Sequence, residues 1–252
     1  MTGPAVLVAA GLDPTGGAGL LADLEALAAV GARGWAVATA LTAQGPRGAR
    51  AMEPVAVPFV LAQVDALLLG ARELPGAAKT GMLGTAAHAA ALAGRLRRRP
   101  LARVPLVVDP VLAASSGLPL FDPGGATTAA ALAPLLERAA LATPNWPELE
   151  VLAGRPLRSE EEAIRAAREL PAAAVLVKGG HRAGAPVDLL VTRRRVVRLA
   201  GARRPGTARG TGCRLASAAA GLLARGVPLE EAVRRAKRLV ERYLDRAGRP
   251  AR

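Results

Sequence analysis

The stretch "AVLVAAGLDPTGGAGLLADLEALAAVGARGWAVATALTAQG", residues 5–45, decides the fold. Its first seven residues form a short apolar run that reads as a buried strand. A glycine-rich loop follows, then residues 17–31 carry helix-length apolar periodicity, and residues 34–43 read as a second strand. A strand, a helix and a further strand in that order predict a parallel pair joined by a crossover.

The pattern continues outward along the chain. Helices are predicted over 58–71, 86–99, 159–170 and 228–248, and strands over 77–83, 104–110, 139–145 and 172–180. Ser159 and Glu162 have the spacing of a capping box. Residues 187–201 read as a hairpin, and "RLASAAAGLLARG" after Cys213 is helix-competent. Such alternation predicts an α/β protein with a mainly parallel sheet covered by helices on both faces. No linker, repeat or low-complexity tract divides it, so residues 1–252 are expected to form one domain.

Composition narrows the function classes. The chain is 51% apolar, enough for a substantial core. Its single cysteine excludes an intramolecular disulfide framework and a cysteine-rich zinc site. The N-terminal apolar run has no basic region before it and is too short to span a bilayer, so a cytoplasmic protein without a membrane partner is expected. The formal charge of +14 would suit an anionic partner. The arginines are scattered, however, and aromatics are only 2% of residues, which leaves little for base stacking. A solvated arginine-rich surface is the reading adopted over nucleic-acid binding. Against this background Lys79, Lys178 and Lys237, the only lysines, stand out as compact charges suited to phosphate.

Polar clusters follow the strands: "GLDPTGGAG", "TAQG", "KTGML", "DPVLAASSG", "TPNWPE" and "KGGH". In open parallel sheets, ligands bind beyond such strand ends. The first loop matches neither the dinucleotide fingerprint nor the P-loop, because no acid follows the second strand and no Lys-Ser/Thr pair follows the last glycine. A plain strand-to-helix turn explains it as well as a ligand does. "GTGC", Gly210 to Cys213, is better suited to anions, since a helix N-terminus presents free amides and a positive dipole end. That field would lower the pKa of Cys213, although a buried structural cysteine fits the segment equally well. His88 reads as a packing residue, and His181 as a loop residue near presumed phosphates.

In this order, "GLDPTGGAG", "ALTAQ", "KTGML", "VVDPV", "TPNWPE", "VLVKGGH" and "GTGC" resemble the hydroxymethylpyrimidine and hydroxymethylpyrimidine-phosphate kinases of thiamine biosynthesis, in the ribokinase-like superfamily. The resemblance runs from about residue 5 to about residue 245 and implies a three-layer αβα fold. It also implies ATP and Mg²⁺ as cofactors, phosphoryl transfer to a hydroxymethyl group, and a homodimer. A pyridoxal or other small-alcohol kinase shares most of these motifs, and a non-catalytic ligand-binding module on the same fold is the reading from another class. By the resemblance, Gly11, Ala18, Asp23, Gln44, Met82 and Val111 line the substrate pocket. Gly210, Thr211, Gly212 and Cys213 form the catalytic loop, with Cys213 as the base. Lys178, Asn145, Thr80 and Lys237 are expected on the nucleotide side, and Asp109 and Glu148 in the magnesium shell. Three positions depart from the family's usual pattern: Arg209 replaces histidine, Ser115 stands where lysine is common, and Leu12 replaces serine or threonine. Arg209 is expected to take over anion binding, and the departures bear on the second phosphorylation more than on the first.

Overall fold

The strand-end polar residues converge because one twisted sheet carries them all. The structure is a computed structural model, which describes residues 3–45, 47–180, 185–204 and 208–247. His181 lies outside these described residues. In chain order the elements begin with β1 (Ala5–Leu12), α1 (Gly19–Ala29), β2 (Arg33–Gly45), β3 (Gly48–Pro54), α2 (Val57–Leu68) and β4 (Ala77–Thr80). They continue with β5 (Gly84–Thr85), α3 (Ala86–Leu96), β6 (Leu106–Val108), β7 (Phe121–Asp122), α4 (Thr128–Leu136) and β8 (Ala139–Ala142). The last are α5 (Trp146–Ala153), α6 (Glu160–Glu169), β9 (Ala174–Val177), β10 (Val187–Thr192), β11 (Val196–Ala200), α7 (Thr211–Ala224) and α8 (Leu229–Ala247).

The main sheet has nine strands in the order β11-β10-β9-β8-β6-β4-β1-β2-β3. The six from β2 to β9 through the centre pair in parallel, while β3 at one edge and β10 and β11 at the other are antiparallel. Antiparallel pairs need only tight turns, so they finish a sheet whose interior requires helical crossovers. Strands β5 and β7 form a separate two-stranded sheet.

Side-chain alternation divides the core into two layers. Leu7 and Ala9 of β1 join the cluster that includes α2, α3, α4, α5 and α6, whereas Val6, Val8 and Ala10 join the cluster of α1, α7 and α8. Leu106 and Val108 against Val107 of β6, and Val175 and Val177 against Leu176 of β9, divide in the same way. A strand buried on both faces must be apolar at every position, which is why these runs are continuous. The expected three-layer α/β fold is therefore the observed one.

Several elements differ from expectation. β3 carries Arg50, Met52 and Glu53 and lies at the sheet edge, where one-sided burial gives no apolar run. Helices α4 and α5 were hidden by Pro134 and Pro147; Pro147 sits in the first turn of α5, where a missing N–H costs nothing. Ser159 accepts the Glu162 N–H as expected, but the Glu162 carboxylate accepts from Arg158 rather than completing the box. The complete capping box belongs to Asn145 and Glu148 at the start of α5.

One buried ion pair ties the layer of α1 and α7 to the sheet. Lys79 of β4 donates to both Asp23 oxygens at 2.9 Å, and Ser217 of α7 donates to Asp23 at 2.8 Å. Both charged side chains are fully shielded from solvent. Removing one partner strands the other charge in hydrocarbon. Lys79→Met is expected to cost about 3–5 kcal/mol in urea unfolding, and the double variant Lys79→Met with Asp23→Asn to recover most of that loss. A double variant no more stable than the single would contradict this account.

Candidate active site

The parallel strand order reverses at β1, with β2 on one side and β4, β6, β8 and β9 on the other. A crevice forms at such a switch point, outside the carboxyl ends of the strands. A cavity of about 660 Å³ occupies this crevice. Gly11 and Leu12 at the end of β1, Lys79 on β4, Asp109 after β6, Asn145 after β8 and Lys178 after β9 all line it.

The catalytic-loop candidates line this cavity together. Gly210 is the N-cap of α7 and provides no side-chain cap, so the first-turn amides of Thr211, Gly212 and Cys213 have no helical partner. Gly210 has φ +69°, and a Cβ there would lie 2.2 Å from the Gly17 carbonyl oxygen. Only glycine permits both the left-handed backbone and this close approach. A Cβ on Gly212 would sit 3.0 Å from Lys178 Nζ, so the amide-lined turn and the ammonium form one cradle.

Beside this turn, Lys178 donates to Asp109 at 2.8 Å and lies 3.7 Å from Glu148. Thr143 also donates to Asp109, at 2.9 Å. Burial acts to raise the Asp109 pKa, but Lys178 and Lys79 outweigh it and hold the carboxyl below its usual range. Burial dominates at Glu148, reinforced by Asp109 and opposed by Lys178, and its pKa is pushed up to about 7. Asn145 and Glu148 brace each other, with Glu148 N–H donating to Asn145 Oδ1 and Asn145 N–H to Glu148 Oε2.

The expected lowering of Cys213 is reversed. Cys213 is partly exposed in the cavity, yet desolvation by the surrounding protein pushes its thiol up to about 11. Lys79 and the Gly19 amide act in the opposite direction without overcoming it, and Asp23 and Asp109 add to the rise. Burying a thiolate costs more than Lys79 and the Gly19 amide return.

Gly11, Ala18, Gln44, Met82 and Val111 also line the cavity. A Cβ on Gly11 would stand 2.1 Å from Met82 Cε, so the glycine is what admits the thioether. Three expected residues do not line it. Asp23 is held beneath the cavity by Lys79 and Ser217, and Lys79, itself committed to that pair, forms part of the lining. Thr80 follows Lys79 on a strand and so points to the opposite face, beside Phe121 and Leu132. Lys237 of α8 pairs with Asp188 at 2.6 Å, and Asp188 accepts the Gly179 N–H; this braces the backbone after Lys178 from behind. His88 is a packing residue, hydrogen-bonded to Thr85 and Val55 at 2.7 Å.

Two further residues matter more than their motifs suggested. Arg209 spends Nη2 on Asp13 at 2.5 Å and Nη1 on the Gly45 carbonyl at 3.1 Å, so it straps three loops together rather than offering a free anion site. Arg214 works beside it, donating to the Gly17 carbonyl and to Glu25. Asp13, the acceptor at the centre, was signalled only by the Asp-Pro-Thr turn chemistry of its loop.

A helix-end amide cradle facing a lysine and two carboxylates, at the switch point of a three-layer sheet, defines a kinase of the ribokinase-like class. The chain belongs to the phosphomethylpyrimidine kinase family, whose model matches residues 13–251. It is 41% identical to the hydroxymethylpyrimidine/phosphomethylpyrimidine kinase of Rhizobium meliloti, over 95% of this chain and 90% of that one. It is 42% identical to the thiamine biosynthesis bifunctional protein ThiED of Geobacter sulfurreducens over 93% of its own length, but spans only 48% of that larger protein. The crystal structure of phosphomethylpyrimidine kinase from Clostridium difficile 630 superposes with TM-score 0.78 at 31% identity, covering 96% of this chain and 100% of that one. Pyridoxal kinase from Staphylococcus aureus in complex with pyridoxal superposes with TM-score 0.83 at 27% identity, covering 97% and 89%.

Because Cys213 is the only cysteine, iodoacetamide uptake by the whole protein reads this one thiol. Its rate is expected to climb between about pH 9 and 11 and to show no plateau near pH 8. Saturation by pH 8 would refute the dominance of burial.

Proposed function

We propose that the chain is a single-domain kinase that transfers the γ-phosphoryl group of ATP to the hydroxymethyl group of 4-amino-5-hydroxymethyl-2-methylpyrimidine, and also to its monophosphate. The observation that carries this reading is that groups suited to a ring and groups suited to phosphate line one cavity. Gln44, Met82 and Val111 line it together with the α7 first turn, Lys178, Asp109 and Glu148. An amide can pair with the donor–acceptor edge of an aminopyrimidine, and Met82 can pack on its ring. The names of the hydroxymethylpyrimidine/phosphomethylpyrimidine kinases among its relatives support the same assignment.

The residues present fit magnesium of the kind that arrives with nucleotide. Among the described residues no group of three or more His, Cys, Asp or Glu forms a metal cage. Mg²⁺ needs only one or two carboxylates when phosphates and water complete its shell. Asp109 and Glu148 would hold it, and Asn145 would support Glu148; bound there, it would neutralise phosphate charge. Lys178 would meet the nucleotide phosphates together with the amides of Thr211, Gly212 and Cys213. These donors are set in place before reaction, which is the main requirement of phosphoryl transfer.

Cys213 would face the substrate hydroxyl. A thiol with a pKa near 11 is mostly protonated at neutral pH, so it is not a standing thiolate. Only its minor thiolate form, whose share grows with pH, would take the hydroxyl proton to give S–H, late, as the oxygen bonds to phosphorus, which a loose transition state tolerates. Turnover should therefore rise with pH from about 7 to about 9 in the wild type. Among the described residues no helix is long and apolar enough to cross a membrane. The homodimer implied by the family resemblance belongs to the same proposal and is checked by light scattering.

An ATP-consumption assay against the hydroxymethylpyrimidine, its monophosphate and pyridoxal in parallel tests the whole reading. The pyrimidine alcohol is expected to be consumed fastest. The monophosphate should be slower, because Arg209 is committed to Asp13 and Gly45. Cys213→Ala should lose roughly 10²-fold or more in kcat and the rise with pH, while keeping its melting temperature. Preference for pyridoxal would overturn the substrate assignment, and an unchanged kcat would overturn the role of Cys213.

A further inference from the structure

The Asp13 carboxylate collects donors from three separate segments. Its Oδ1 accepts from the Thr15 N–H at 3.0 Å and the Thr15 hydroxyl at 2.8 Å. Its Oδ2 accepts from the Ala18 N–H at 2.9 Å, Gln44 Nε2 at 3.3 Å and Arg209 Nη2 at 2.5 Å. Burial alone would raise its pKa, but the Thr15 and Arg209 contacts win and hold it below the usual carboxylate range. Asp13 is therefore ionised, and an ionised carboxylate is only an acceptor.

That fact fixes a neighbour. A side-chain amide has a donor end and an acceptor end of nearly equal shape, and its orientation is set by what it faces. Opposite Asp13, Gln44 must present its NH₂ end. The register of β2 against β3 shifts between Ala43 and Gln44, and such a bulge re-aims a side chain next to a site. Gln44 thus lines the cavity with its Oε1 and the second Nε2 proton, and no described residue donates to Oε1.

We propose that Asp13 is the positioning residue that locks the Gln44 amide in one orientation, so that the cavity selects a ring bearing an exocyclic amine next to a ring nitrogen. This deepens the kinase reading and rests on it for the ring's identity. The amine donates to Oε1 while the ring nitrogen accepts the free Nε2 proton. A ring with carbonyl and N–H in those two places opposes like to like at both contacts, and the mismatch leaves polar groups unpaired.

The test is calorimetric titration of 4-amino-5-hydroxymethyl-2-methylpyrimidine and of its 4-oxo counterpart, which reads binding independently of turnover. Wild type is expected to bind the amine roughly tenfold or more tightly than the oxo ring. Asp13→Asn, whose own amide can satisfy either orientation, should bring the ratio to about one. If that variant is unfolded, Asp13→Ser retains a cap for the loop amides without the charge and should do the same. Arg209→Gln removes the strap but leaves the carboxylate and should keep the discrimination. The proposal is overturned by equal affinities in wild type, by undiminished discrimination in a folded Asp13 variant, or by an equal loss in Arg209→Gln. Discrimination without phosphorylation of either ring would support the lock and count against the kinase reading.

Discussion

Five parallel strands, β1, β4, β6, β8 and β9, are buried on both faces and can expose polar groups only where they leave the sheet. That constraint organises the molecule. β1, β4, β6, β8 and β9 all run the same way, so their carboxyl ends and the residues after them meet along one edge. The reversal of strand order at β1 opens this edge into a crevice. Helix α7 covers the sheet from one side and brings its first-turn amides, which have no partner within the helix, to the same place. Charges distant in the chain, such as Asp109 and Lys178, become hydrogen-bond partners at 2.8 Å.

Gathering them there has electrostatic consequences that motif chemistry does not foresee. At Asp109 burial is outweighed by two lysines, whereas at Glu148 and Cys213 burial prevails. The difference is one of partners: Asp109 accepts directly from Lys178 and Thr143, while Lys178 lies 3.7 Å from Glu148. Asp13 follows the same principle beside Gln44: its donors hold it ionised, and it faces the NH₂ end of that neutral amide.

Much of the fold was legible because doubly buried strands need unbroken apolar runs and helices carry their own period. The segments that escaped were those in which burial is one-sided or brief, namely β3, α4, α5 and the pair of β5 and β7. Among site candidates, the strand-end and helix-start residues Gln44, Asp109, Asn145, Glu148, Lys178 and Cys213 do share one cavity. The misplaced ones show what a motif omits. Thr80 adjoins the cavity residue Lys79 in sequence, but adjacent strand residues point to opposite faces. Asp23 and Lys237 have the right chemistry and are each consumed by an ion pair, with Lys79 and with Asp188.

What the amino-acid order determined alone was the alternation of elements, the edge of the sheet where polar residues accumulate, and the family to which the motifs belong. These depend on local patterns of burial and turn chemistry, which neighbouring residues encode. Only the tertiary structure decided which charges pair, which thiol is costly to ionise and which way Gln44 faces. Those properties depend on partners up to 196 positions apart, as Arg209 is from Asp13, and on the loss of water when they meet. Desolvation and pairing are set by three-dimensional proximity, so no local reading of the chain contains them.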